Sequence, residues 1–327
     1  MTSPAPSTSA EGVRLTTGLR FTKGHGTQND FVLLDDRTNA LDLTPELVRA
    51  LADRRTGVGG DGVIRVVPTA ALPEGVAILA ADPGAAWFMD YRNGDGSFSE
   101  MCGNGLRVFA AFLERLGLAE VPEVHAADDD AALAIGTRAG VCRVRREQNG
   151  WYAVDMGPWR LAGGDAAAIA GADAEVTVAG LDVPRPALSI DLGNPHVVLA
   201  LADEDELAGV DLTRAPDVRP AAPGGTNVEL VVPLGEEVDD AGRAVGRVRM
   251  RVHERGVGET RSCGTGACAA ALAVRTWAGA GAPDVWLVDT PGGRVRVRLL
   301  PSGNVELAGP AALVAAGEVD VDALRLR

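Results

Sequence analysis

Aromatic residues are scarce, at 4% of the 327 positions, and only four cysteines occur. With few rings to fill space, cores must be packed from alanine, valine and leucine, and the 46% apolar content is enough for them. Cys102, Cys142, Cys263 and Cys268 are too few in so long a chain for a disulfide scaffold. No Cys-x-x-Cys pair is present, and His25, His125, His196 and His253 lack ligand spacing, so no bound metal is expected. Basic residues are outnumbered 31 to 45, a net charge of −14, which argues against a nucleic-acid or anionic-membrane partner. No apolar run approaches the length of a membrane span. The first eighteen residues, rich in Ser, Thr, Pro and Ala, lack the basic start and apolar core of a signal peptide and read as a disordered extension. A soluble, cytoplasmic protein with reduced thiols is the expectation. Its length fits two domains of about 150 residues.

Glycine, by contrast, is abundant, and one glycine pattern occurs twice. Cys102-Gly103-Asn104-Gly105 opens an apolar helical stretch, Leu106 to Leu116, and Cys263-Gly264-Thr265-Gly266 opens another, Ala267 to Trp277. A helix start carries partial positive charge and free N–H groups, which suit an anion. It is also where a thiol is most easily ionised. Cys268, inside its helix, and Cys142, on an alternating segment, read as packing residues.

The flanking segments give each motif a context. Residues 23–30 form a polar loop between two short strands, Leu19 to Phe21 and Phe31 to Leu34, and a plain hairpin connection is the simpler reading of it. Thr44-Pro45 marks a helix start, with Leu47, Val48 and Leu51 on its buried face. The glycines of 57–62 follow a helix and precede a strand, the reverse of a dinucleotide-binding order. Ala86 to Tyr91 reads as a strand entering Asn93-Gly94-Asp95-Gly96-Ser97, where turn chemistry alone explains Asn93. Beyond Thr137 short alternating strands dominate, so a domain boundary is expected near 140. In Arg247 to Val252, Val248, Met250 and Val252 alternate inward and the arginines outward. Arg255 beside Glu254 could be an ordinary solvated pair, yet it lies at a strand end next to a glycine loop and the second cysteine.

The halves mirror one another. Asn93 stands nine residues before Cys102, and Glu254 nine before Cys263. A pseudo-symmetric pair of domains would bring both thiols to the cleft between them. Such a cleft suits removal of an amino acid's α-proton from one face and its return on the other. One thiolate and one thiol can exchange roles, and helix-start N–H groups stabilise the charge that spreads into the carboxylate. No electron-sink cofactor is then needed, and none is expected.

These residues resemble the diaminopimelate epimerases, of the cofactor-independent amino-acid racemase and epimerase type. The resemblance rests on Phe21 to Phe31, Asn93 to Ser97, Met101 to Gly105, Gly193-Asn194-Pro195-His196, Thr226-Asn227, and Glu254 to Thr260 running into Ser262-Cys263-Gly264-Thr265-Gly266. It implies an α/β (α+β) fold of two pseudo-symmetric domains, each a curved, mostly antiparallel sheet wrapped around a central helix. The active site would lie between them. It also implies an isomerase that interconverts LL- and meso-2,6-diaminopimelate, a step towards lysine and, in many bacteria, the cell wall. Residues 310–327 are then expected to join residues 19–140 in the first domain, leaving 141–309 as the second, and a homodimer is the expected assembly. By the same resemblance Cys102 and Cys263 are the two bases. Gly103, Asn104, Gly264 and Thr265 present backbone N–H groups to the reacting carboxylate. Asn29, Asn93, Asn194, Asn227, Glu254 and Arg255 hold the ammonium groups and the distal carboxylate, for which the planar guanidinium fork of Arg255 is suited.

One position departs from the pattern: some members carry glutamine where this chain has Gly62. The nearest competing reading is a proline or hydroxyproline epimerase, which uses two thiols but has histidine in place of Asn104 and no distal carboxylate for Arg255. A thiol–disulfide redox protein would need neighbouring cysteines. A non-catalytic amino-acid-binding protein would bind equally well without either thiol.

Overall fold

The computed structural model describes residues 18–124 and 131–324. Residues 1–17 of the expected extension, His125 and the last three positions of the 310–327 segment lie outside the described residues.

The first half runs β1 (Leu19–Gly26), β2 (Asn29–Asp35), α1 (Pro45–Ala52), β3 (Gly62–Pro68), α2 (Gly75–Ala81), β4 (Trp87–Asn93), α3 (Gly103–Arg115), β5 (Glu123–Val124), β6 (Leu133–Thr137), β7 (Gly140–Glu147) and β8 (Tyr152–Asp155). The second runs β9 (Arg160–Leu161), α4 (Gly164–Ala170), β10 (Ala174–Thr177), β11 (Arg185–Asp191), β12 (Pro195–Ala200), α5 (Glu204–Gly209), β13 (Asp217–Arg219), β14 (Asn227–Val238), β15 (Ala244–Glu254), β16 (Gly258–Thr260), α6 (Gly264–Ala278), β17 (Val285–Thr290), β18 (Gly293–Leu299) and β19 (Val305–Gly309). Then follow β20 (Ala312–Val319) and the single turn α7 (Val321–Leu324).

One pairing scheme is used twice. β1 pairs antiparallel with β2, β2 parallel with β3 across α1, β3 antiparallel with β4, and β4 parallel with β6 across α3. β11, β12, β14, β15 and β17 repeat these steps in order, with α5 and α6 as the crossovers. The register repeats as well: Phe31 lies opposite Gly62 as His196 lies opposite Asn227. β8 and β19, each the last strand of its own series, pair with each other and join the halves. The chain then crosses over both ways. β9 leaves the first half and pairs with β11, while β20 leaves the second and pairs with β1.

The crossover helices α3 and α6 occupy the middle. An amphipathic stripe is expected of α3, but Gly103 to Ala110 are all buried, together with Phe112 and Leu113. α6 is likewise buried from Ala267 through Val274. A helix enclosed on every side has no solvent face, and small residues let a sheet curl closely around it. α6 meets this with alanines; α3 meets it with larger apolar side chains and one arginine, Arg107, which is 0% exposed. One apolar core, including Leu106, Phe109, Cys268, Leu272, Val154 and Leu307, runs through both halves.

Local sequence accounts for the connections. Thr44 caps α1 by accepting from the Leu47 N–H, with Pro45 next in line. Thr27 and Gln28, at φ 49° and 63°, form a two-residue turn that matches strand twist. Residues 23–30 are therefore a hairpin, as expected, but its strands reach Gly26 and Asn29.

Candidate active site

Cys102 and Cys263 sit at equivalent points, each as the N-cap of its central helix. Both are extended, at φ −144° and −115°, and each sulfur accepts the N–H three residues on, Gly105 or Gly266, at 3.4 Å. The helices begin at Gly103 and Gly264, three residues earlier than the apolar pattern indicates, because glycine carries no hydrophobic signal. Those glycines are needed for close approach. A Cβ on Gly103 or Gly264 would lie 3.1 or 3.0 Å from the same Leu307 methyl group, and one on Gly264 would lie 3.5 Å from Asn104 Oδ1. The two helix starts thus converge on a single contact point. The first N–H groups of a helix have no carbonyl partner within it; here they belong to Gly103, Asn104, Gly264 and Thr265.

Each thiol has a matching polar attendant. Asn104 Nδ2 donates to Asn29 Oδ1 at 3.3 Å, and the Cys102 thiol donates to the same oxygen at 3.6 Å. In the second half Asn194 Nδ2 donates to Thr265 Oγ1 at 3.2 Å, which lies 3.6 Å from the Cys263 sulfur. Asn29 is held by donating to Asp61. Asn194 is held by His196, whose Nε2 donates to its Oδ1 at 3.1 Å, and His196 Nδ1 pairs with Glu229 at 2.7 Å. His196 and Glu229 have no exposed side-chain surface. Glu229 lies against the turn carrying Cys263: a Cβ on Gly266 would stand 2.7 Å from its Oε1. The corresponding neighbour of Gly105 is the apolar Ile64. The two thiols are alike in backbone and unlike in what lies beneath them.

The remaining expected residues differ in freedom. Asn227 uses both ends of its amide on backbone, donating to Pro195 O and accepting from Arg255 N–H. Asn93 donates to Ser97 Oγ across its own turn, as turn chemistry alone predicted. Glu254 accepts from Thr260. Arg255 is exposed, donates to Gly224 O at 3.1 Å, and makes no ion pair with a described residue. Its guanidinium fork is therefore open to a carboxylate from outside. Cys268 is fully buried, and Cys142 lies on β7 beside Thr137.

Helix starts were expected to ease ionisation of the thiols; burial outweighs them. Burial pushes the Cys102 thiol up to about 11, against the pull of the Gly105 N–H. It pushes Cys263 well above the ordinary thiol value, and the Glu254 and Glu229 carboxylates push the same way. Burial also raises Glu254, and Glu229 adds to that, while hydrogen bonds from Thr260 and Cys263 oppose it.

Gly62 has a steric reason. A Cβ there would lie 2.5 Å from both Arg92 O and Tyr91 Cε2, so the Tyr91 ring fills the space a longer residue would use. Sequence reasoning missed Tyr91, Arg107 and Glu229, and Thr27 and Ser262 were signalled only by their places in the stretches 21–31 and 262–266. Of His196, only its place in the Gly193-to-His196 stretch was a signal.

The fold with its paired helix-capping thiols places the chain in the racemase and epimerase fold class. Among solved structures, a PhzF-family phenazine biosynthesis protein from Bacillus anthracis superposes with a TM-score of 0.59 at 17% identity, over 92% of this chain and 99% of that one. The family model described as diaminopimelate epimerase matches residues 21–162 and 188–314. A diaminopimelate epimerase of Streptomyces coelicolor is 47% identical over 94% of this chain and 97% of its own length, and one of Thermobifida fusca is 45% identical over 94% and 100%. The chain belongs to the diaminopimelate epimerase family and is an enzyme.

Proposed function

We propose that this chain interconverts LL- and meso-2,6-diaminopimelate by a two-base mechanism, using its own residues alone. The observation that carries this is the convergence of two cysteine-capped helix starts on Leu307, with a thiol at each. A substrate α-carbon between them would meet a sulfur on either face. One thiolate takes the α-proton and becomes a thiol. The carbanion's charge passes into the adjacent carboxylate, and the other thiol delivers its proton to the opposite face and becomes the thiolate. The N–H groups of Gly103, Asn104, Gly264 and Thr265 are placed to bind that carboxylate as charge builds on it. Burial disfavours the thiolate that must take the proton, and a substrate ammonium group beside the sulfurs works in the opposite sense. Arg255, open at the rim, takes the distal carboxylate, with Glu254, Asn29, Asn93, Asn194 and Asn227 placing the ammonium groups. No observation favours a proline-type substrate, which would leave Arg255 without a partner.

The proposal includes a cytoplasmic homodimer; among the described residues no helix is long and apolar enough to cross a membrane. It also divides the chain after β8 rather than at residue 140, because Gly140 opens the strand that hairpins with β6. By the repeated pairing scheme β20 then belongs with the first half and β9 with the second.

Incubation with LL-diaminopimelate in deuterated water tests the reaction. The meso product should carry deuterium at the inverted carbon. Product without deuterium, or no inversion, would remove the two-base reading.

A further inference from the structure

Arg107 is the largest fully buried side chain among the described residues. Taking a guanidinium out of water costs several kcal/mol unless an anion faces it. None does so among the described residues. Its three hydrogen bonds go to neutral acceptors at long range: Nε to Pro310 O and Nη1 to Gly103 O, both at 3.4 Å, and Nη2 to Thr27 Oγ1 at 3.3 Å. The space is nevertheless shaped for it. A Cβ on Gly26 would stand 3.0 Å from Nη2, and one on Gly309 would stand 3.3 Å from Nε. The cation lies just inside the α3 start, bonded to the carbonyl of the residue that follows Cys102. Its counterpart across the pseudo-symmetry is Cys268, since each stands five places after a catalytic-motif cysteine (107 − 102 and 268 − 263). In the second half the group beneath the thiol is instead the Glu229 carboxylate, paired with His196.

We infer that Arg107 is a positioning residue, the internal countercharge of the first half-site: it favours negative charge on the Cys102 sulfur and on a carboxylate at the α3 start. Its missing anion is the charge that the reaction itself brings. The groups acting on Cys102 are few: Glu254 disfavours the thiolate, while Arg107 and the Gly105 and Asn104 N–H groups favour it, and Tyr91 is a neutral neighbour. Burial pulls Arg107 itself down to about 10, with Cys102 and Cys268 holding it up. Replacing a buried charge by an apolar side chain of similar volume is often neutral or stabilising, so folding by itself does not call for a cation here.

The inference rests on the two-thiol reading, and its test needs no turnover. Free enzyme and Arg107→Met are alkylated with iodoacetamide across a pH series, and the modified peptides are resolved to give the profile of each cysteine. In Arg107→Met the Cys102 profile should move up by at least about one pH unit, a tenfold loss of thiolate, with Cys263 moving less. Epimerisation should fall about tenfold or more while the urea midpoint stays level or rises. Should the methionine variant not fold, Arg107→Gln keeps two donors without the charge and carries the same expectation. An unchanged Cys102 profile, or equal movement at both cysteines, would make Arg107 a clamp between Thr27, Gly103 and Pro310 and overturn the inference. The two-base mechanism would still stand.

Discussion

Thr27 and Ser262 bring their hydroxyl oxygens to 2.7 Å, although 235 positions of chain separate them. Thr27 is in the first hairpin turn and Ser262 directly precedes Cys263. Asn104 reaches the same serine, donating to its carbonyl at 3.2 Å and its hydroxyl at 3.4 Å. The two halves are thus fastened by buried side chains that also border the thiols.

Ser262→Ala removes that fastening and leaves the buried Thr27 hydroxyl with one partner fewer. A loss of roughly 1–2 kcal/mol is expected in urea unfolding, with a lower kcat/KM because Asn104 is less well held. A variant as stable and as active as the parent would show that the contact only fills space.

Cys102→Ala and Cys263→Ala should each abolish epimerisation. Each keeps one base on one face, so each should still exchange the α-proton of one stereoisomer, and the two variants should prefer opposite isomers. Deuterium uptake read by NMR decides it; substantial epimerisation by either single variant contradicts the assignment.

Arg255→Lys should lose most activity towards diaminopimelate, mainly through KM. Lysine keeps the charge but cannot offer two parallel donors to one carboxylate. Normal turnover by the lysine variant would return Arg255 to the status of a surface residue.

Stability should fall in alkali through the buried thiols. Burial pushes Cys268 up to about 12, whereas an unfolded cysteine ionises near 8.5. Between these values the unfolded chain releases a proton that the native chain keeps, so this contribution is whole below about pH 8.5 and lost as pH rises towards 12. The cost of Cys268→Ala, roughly 1 kcal/mol at pH 7, should therefore shrink in unfolding measured at pH 9 and 10. A cost independent of pH would mean that this thiol titrates normally in the fold.

Sequence reasoning reached the parts of this site that have a local signature. A cysteine before two glycines marks a helix start whether or not its partner is known, and Val248, Met250 and Val252 alternate inward as read. The short helices α2, α4 and α5 escaped notice because each buries only one or two residues and shows no period. The His196–Glu229 pair depends on parallel register between β12 and β14, which no spacing reveals. Arg107 was hidden for a different reason. A charged residue in an apolar helix is normally assigned to the wet face, and α3 has no wet face along that stretch.

The reciprocal exchange of β9 and β20 also bears on how the chain is made. Leu19 pairs with Val319, so β1 acquires its outer neighbour only when the far end of the chain arrives. During synthesis the first half can wrap α3 and bury much of its core, but one edge of its sheet stays open until β20 has been made. The strand that seals it follows directly on β19, the strand that seals the joint between the halves. The strand that closes the first half and the strand that joins the two halves are thus neighbours in the chain.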